Sequence, residues 1–244
     1  MRKSVEGKTV VRLAVFKNFF NILHYYPRMV SMYHHPEKYT EEEKFKYNNK
    51  LINILLKTCK TEVTVYGREN LSDDENYFLC SNHQGKFDPL IIWKTFDRPL
   101  SVIVDIAAVN KPIIKELCGI YTSYYYDRTN IRHTLTESKR LEKGLLAGES
   151  CMAFPEGNYE DDNESLMRFK PGCFRAAIRT GTTIVPVVLS GVGRVFEKGK
   201  KPPYEVSIRY LEPITKEQYK GMNSYEISEL VQKRVQDALD EYGC

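Results

Sequence analysis

The chain is short of the features that would make it a membrane-spanning, secreted or metal-binding protein. Its longest uncharged run, Thr180 to Gly193, is rich in Gly and Thr, and a spanning helix needs about 20 mostly apolar residues. Near the N-terminus, Arg12 and Lys17 interrupt the apolar stretch and no small-residue cleavage site follows, which argues against a secretory leader. The six cysteines (Cys59, Cys80, Cys118, Cys151, Cys173, Cys244) are scattered, with no Cys-x-x-Cys pair and no metal-ligand spacing. They read as reduced thiols of a cytoplasmic protein, several of them in core strands. No internal repeat, low-complexity tract or recognised nucleic-acid motif is present, and a nucleic-acid partner is not expected.

What is present fits one sizeable domain with a helical appendage. The chain has 244 residues, 42% hydrophobic and 28% charged, the balance of a folded globular protein. Its +4 net charge is unevenly placed: residues 1–60 hold 12 Lys+Arg against 5 Asp+Glu, and the remainder holds 24 against 27. Val10 to Tyr26 reads as a basic amphipathic helix rich in Phe and Tyr, ended by Pro27. Such a helix suits a membrane interface; the other reading is an ordinary helix packed on the domain. Thr40-Glu41-Glu42-Glu43 is a capping box that opens a second helix. Residues 1–60 are therefore expected to form a two-helix, membrane-associating segment, ahead of a domain over 61–244.

From residue 61 short strands and helices alternate. Strands are expected at Thr61–Tyr66, Tyr77–Ser81, Leu100–Ile106, Tyr121–Tyr126, Ser150–Phe154, Thr183–Leu189 and Tyr204–Leu211. Helices are expected at Asp88–Phe96, Lys111–Leu117, Ile131–Ala147, Pro171–Thr180 and Ser224–Tyr242, the last capped by Ser224. This order specifies an α/β fold, a mostly parallel sheet flanked by helices. Ligand clefts in such folds form at the C-terminal strand ends, and His83, Arg128 and Glu156 each follow a strand.

Within Asn82-His83-Gln84-Gly85-Lys86-Phe87-Asp88, a histidine and an aspartate stand five positions apart across a turn, with Gly85 available for a positive φ. The carboxylate would hold one imidazole nitrogen and leave the other to take a proton. The alternative makes Asp88 the N-cap of the helix that starts at Pro89, and His83 a loop residue.

Four separated pieces, Asn82-His83-Gln84-Gly85-Lys86-Phe87-Asp88, Tyr126-Asp127-Arg128, Phe154-Pro155-Glu156-Gly157 and Ile184-Val185-Pro186-Val187, in this order and spacing, resemble the glycerolipid acyltransferase family, typified by lysophosphatidic acid acyltransferases. The resemblance runs from about Val63 to Leu211. It implies transfer of a fatty acyl group from a thioester, on coenzyme A or acyl-carrier protein, to the hydroxyl of a lysophospholipid. No further cofactor or metal is implied, and no Gly-x-Ser-x-Gly elbow offers a covalent nucleophile. His83 would be the general base and Asp88 its orienter. Arg128 would grip an acceptor phosphate, Glu156 would shape the acceptor site, and amides around Gly157 would face the oxyanion. Val185-Pro186-Val187 reads as structural or acyl-lining. Such an enzyme would sit on the cytoplasmic side of the cell membrane, peripheral or monotopic. The chain departs from the family in three ways. Asn158-Tyr159 stands where Thr-Arg is usual, Gly85 replaces a common Ser, and residues 160–164 are unusually acidic. Lys170 or Arg168 would then have to supply the missing cation. Another lyso-lipid acceptor, or a catalytically reduced membrane-binding member, are the alternatives.

Overall fold

The computed structural model describes residues 16–109, 113–158, 166–195, 197 and 200–241. Helices α1 (Phe19–His34) and α2 (Glu41–Cys59) precede strands β1 (Thr61–Tyr66) and β2 (Tyr77–Ser81). Then follow α3 (Asp88–Thr95), β3 (Ser101–Asp105), α4 (Ile106–Val109), α5 (Ile114–Cys118), β4 (Ser123–Tyr126), α6 (Ile131–Leu146) and β5 (Cys151–Ala153). The chain ends with α7 (Arg175–Thr180), β6 (Thr183–Ser190), β7 (Tyr204–Tyr210) and α8 (Ser224–Glu241).

The seven strands form one sheet in the order β1-β7-β6-β2-β5-β3-β4. β6, β2, β5, β3 and β4 are parallel, whereas β7 runs antiparallel to β6 and β1 parallel to β7. β1 therefore begins at the edge where β2 ends. Central strand β2 is buried along its whole length, as parallel strands covered on both faces must be. Period-2 alternation sorts its side chains: Tyr77 and Leu79 join the core beneath α1, α2 and α3, while Phe78 and Cys80 join the core beneath α6, α7 and α8. Val185 and Val187 of β6 are fully buried on the first of these faces, which makes that strand structural.

The Thr40 capping box is present, its hydroxyl accepting from the Glu43 amide at 3.2 Å and the Glu43 carboxylate from the Thr40 amide at 2.9 Å. Two local expectations fail. Pro27 does not end the first helix; α1 continues through it to His34. A proline forfeits one backbone hydrogen bond, and burial of Met29 and Met32 just beyond it offsets the loss. Ser224 does not cap the last helix: the Asn223 side chain accepts from the amides of Tyr225 and Glu226 instead. The start of the expected first helix, the loop 159–165, residues 110–112 and Cys244 lie outside the described residues.

Candidate active site

β2 delivers the sequence Ser81-Asn82-His83 to the C-terminal edge of the sheet, and side chains pin the loop that follows. The Asn82 amide mimics a further ladder rung, donating to the Leu189 carbonyl at 2.9 Å and accepting from its N–H at 2.8 Å. Gln84 accepts from the Val192 amide at 3.1 Å. The loop is thereby tied to the end of β6.

Asp88 opens α3 but caps nothing; the N-cap position is Phe87, which has no side-chain cap bond. Its carboxylate turns back over the loop. Oδ2 accepts from the amides of Gln84 (2.6 Å) and Gly85 (2.9 Å) and meets His83 Nδ1 at 2.5 Å. Asp88 is fully buried, and its Oδ1 has no hydrogen-bond partner among the described residues. All three groups at Oδ2 are donors only if Nδ1 carries the imidazole proton, which puts the ring's lone pair on Nε2. His83 stacks on Phe154, ring centroids 4.4 Å apart. Gly85, expected to need a positive φ, is absent from the glycines that have one, and a Cβ there would meet nothing within 4 Å. The position has room for a side chain.

Strand β5 ends in the turn Phe154-Pro155-Glu156-Gly157. Glu156 is buried, and both its oxygens are taken by backbone amides: Oε1 by His83 at 2.6 Å and Oε2 by Met167 at 2.9 Å. It joins the histidine to the segment leading into α7, and that segment is braced on α8 through Phe169 to Gln232 at 2.9 Å and Ser228 to Phe169 at 2.8 Å. Glu156 is thus a positioning residue for His83. Gly157 adopts φ +70°, where a side chain is strained, and a Cβ would strike the Lys170 ammonium. Its N–H does not face a reacting group, because it donates to the Phe154 carbonyl at 2.9 Å. Of the amides around Gly157 expected to face the oxyanion, its own is thus engaged within the turn. Asn158 follows the turn, exposed.

Burial pushes the Glu156 carboxyl up from its ordinary 4.5 to about 6, against the lowering effect of the two amides. The folded protein then holds this proton more tightly than the unfolded chain. Stability from this group is highest below pH 4.5, falls by about 2 kcal/mol as pH rises to about 6, and is flat above that. Because Glu156→Gln lacks the titrating group, its unfolding free energy relative to wild type is expected to rise by about 2 kcal/mol between pH 4.5 and 6 and then level off by pH 7.5. A difference that does not change with pH would contradict the assignment. At neutral pH the relieved charge burial and the lost amide acceptor are of similar size, so the slope is the readout.

Arg128 reaches the same turn from the end of β4. Its Nε donates to Asp105 Oδ2 at 2.7 Å, and its Nη2 donates to the Gly157 carbonyl and, at 3.3 Å, to the Tyr126 hydroxyl. The fork expected to grip a phosphate is engaged by these partners. The Arg128 side chain is 50% exposed, and an exposed ion pair contributes about 0–1 kcal/mol, so a doubly charged anion can displace it at small cost. Asp105, Tyr126 and Phe154 are site neighbours whose pairings no local spacing reveals. Lys170, exposed, lies over Gly157, its own N–H bonded to the Pro155 carbonyl at 2.9 Å. It makes no ion pair among the described residues, and Arg168 is exposed nearby.

Phe154 also lines a cavity of about 280 Å³ between the sheet and α6, together with Tyr124, Leu141, Ala153, Ala176 and Lys170. The larger cavity, about 510 Å³, opens at the opposite strand ends, near Ser101 and Ser150. It is remote from His83.

The acyltransferase family model matches residues 62–190. The chain is 28% identical over 147 residues to a 1-acyl-sn-glycerol-3-phosphate acyltransferase of Borreliella burgdorferi, covering 60% of this chain and 58% of that protein. It is 27% identical over 190 residues to the enzyme of that name from Saccharomyces cerevisiae, covering 75% and 61%. The chain thus spans under two thirds of the length of both relatives. The crystal structure of a 1-acyl-sn-glycerophosphate acyltransferase from Thermotoga maritima superposes with a TM-score of 0.78 at 20% identity, covering 100% of this chain and 98% of that one.

Proposed function

This chain belongs to the acyltransferase family, and from that premise we propose that it moves a fatty acyl group from a thioester to the free hydroxyl of 1-acyl-sn-glycerol-3-phosphate, giving phosphatidic acid. The observation that carries the reading is the His83–Asp88 pair, 2.5 Å apart at the C-terminal strand edge, beside two cations and an apolar cavity. His83 Nε2 takes the hydroxyl proton as the oxygen attacks the thioester carbonyl. The tetrahedral oxyanion then collapses, the C–S bond breaks, and the imidazolium returns the proton to the leaving thiolate. Coenzyme A and acyl-carrier protein both supply such a thioester. The Borreliella and yeast relatives are both named for this acceptor, which supports the reading.

In this reading the cavity beside Phe154 takes the acyl tail, because its lining is apolar and Phe154 joins it to the His83 ring. Ser138, on α6, lines it too. Ser138→Phe is expected to shift product toward shorter acyl groups in a competition among thioesters of several lengths, read by mass spectrometry. An unchanged length profile would remove the tail from this cavity.

Arg128 and Lys170 supply the cations for the acceptor phosphate. Arg128→Ala is expected to lower kcat/KM for lysophosphatidic acid about 10- to 100-fold, the loss of one charge-assisted contact of about 1.5–3 kcal/mol, and to leave monoacylglycerol unaffected. Arg128→Lys should restore only part, since a point charge cannot hold Asp105, the Gly157 carbonyl and a phosphate together. Equal use of both acceptors by the wild type would mean that phosphate is not read. The acceptor would then be another lyso-lipid, a reading that the Asn158-Tyr159 departure, with its missing arginine, motivates.

We place the N-terminal helix at the membrane surface. Phe16, Phe19, Phe20 and Leu23 stand in solvent at its start, while Met29 and Met32 are buried further along. One end would insert while the other holds the sheet. Among the described residues no helix is long and apolar enough to cross a membrane.

A further inference from the structure

A second group of apolar side chains stands in solvent at the catalytic edge, on the far face of the sheet from α1. Ile131 is 70% and Leu135 51% exposed. They lie one helical turn apart at the start of α6, which begins four residues after β4 ends. The neighbouring outer strip of that helix carries Arg132, Lys139 and Lys143, all exposed. An aliphatic strip shouldered by cations is the pattern of a helix that lies in an anionic lipid interface.

The two apolar groups share an edge of the molecule. The Asn18 side chain lies beside the Cys59 thiol, and Cys59 ends α2 two residues before β1. β1 runs opposite to β2, so its first residue and the start of α1 lie at the edge where β2 delivers His83. α6 leaves β4 at that same edge, because β4 is parallel to the central strands. α1 packs on one sheet face and α6 on the other, so the site lies between the two groups. A flat partner touches both at once; a small globular partner does not.

We propose that Ile131 and Leu135, with Arg132 and Lys139 beside them, form a second contact with an anionic lipid surface, and that the catalytic edge faces the bilayer between this contact and α1. A lysolipid then reaches His83 from the lipid phase without leaving it. The activity part of this inference rests on the acyl-transfer reading above; the contact itself does not.

The test uses the full chain, Ile131→Ser/Leu135→Ser, and vesicles of phosphatidylcholine with a minority of phosphatidylglycerol. Vesicle affinity of the double variant is expected to fall about tenfold at low salt. Turnover on a lysolipid presented in those vesicles should fall with it, and turnover on a short-chain acceptor below its micelle concentration should stay unchanged. Neither side chain touches the site, and both are exposed, so folding is preserved. A Leu135→Trp variant should shift its emission to the blue on vesicle addition, against a constant background from Trp93, which is 3% exposed. Unchanged vesicle affinity together with no emission shift overturns the inference. So does a loss confined to carrier-protein donors, which would assign the strip to a protein partner. A wild type that acylates no lysolipid defeats the functional reading instead, while affinity and emission still decide the contact.

Discussion

Replacing His83 with alanine is expected to lower turnover about 10²- to 10⁴-fold, the usual range for removing a positioned general base. The fold should survive. The loop keeps its ties through Asn82 to Leu189 and Gln84 to Val192, and Asp88 keeps the amides of Gln84 and Gly85. What is lost is the ring stacked on Phe154, a contact worth about 0.5–1.5 kcal/mol beyond its burial. Added imidazole should restore part of the rate by entering the space the ring leaves. The measurement is product formation from lysophosphatidic acid by the purified variant, with a thermal melt alongside. A folded His83→Ala protein working within tenfold of wild type would remove the mechanism.

The second large effect is at Asp88, and the two obvious substitutions should separate. Asp88→Asn can place its amide oxygen where Oδ2 sits and keep the donors from His83, Gln84 and Gly85. Its NH₂ then takes the Oδ1 position, which has no partner to offend. The flipped amide would set NH₂ against two backbone N–H groups and is disfavoured. The imidazole tautomer is therefore retained, and only the charge that stabilises the imidazolium is lost. Turnover is expected to fall about 10- to 100-fold, less than where an equivalent change also spoils the tautomer. Asp88→Ala removes the acceptor for three donors, two of them backbone amides. It should lose about 10³-fold in rate or more, with a melting temperature several degrees lower. Equal kinetic losses in the two variants would show that the carboxylate acts through its charge alone, because Asp88→Asn keeps the position.

Much of this site was legible before any coordinates. Histidine and aspartate five apart, with a strand before and a Pro-led helix after, is a local pattern, and local geometry realises it. The apolar runs of strands are local too, and strands form over Tyr77–Ser81 and Thr183–Ser190, within one residue of where they are expected. What the sequence hid is contact between distant segments. The family resemblance implies an acceptor-site role for Glu156, yet its carboxylate is consumed by two amides 73 and 11 residues away. Arg128 reads as a free fork until Asp105 and the Gly157 carbonyl are seen to hold it. Pro27 reads as a stop because propensity is a local quantity, and it is overridden by the burial of Met29 and Met32. Glycine at 85 invites a strained turn that the backbone does not make.

That the proposed base and orienter, His83 and Asp88, stand five positions apart has a consequence for how the protein tolerates change. Two groups so close along the chain lose little freedom when brought together, because closing a short loop is entropically cheap. Their geometry is carried by the loop between β2 and α3, whichever residues fill the far cores. Variation on the outer helices should therefore alter how many molecules are folded far more than how fast each folded molecule works.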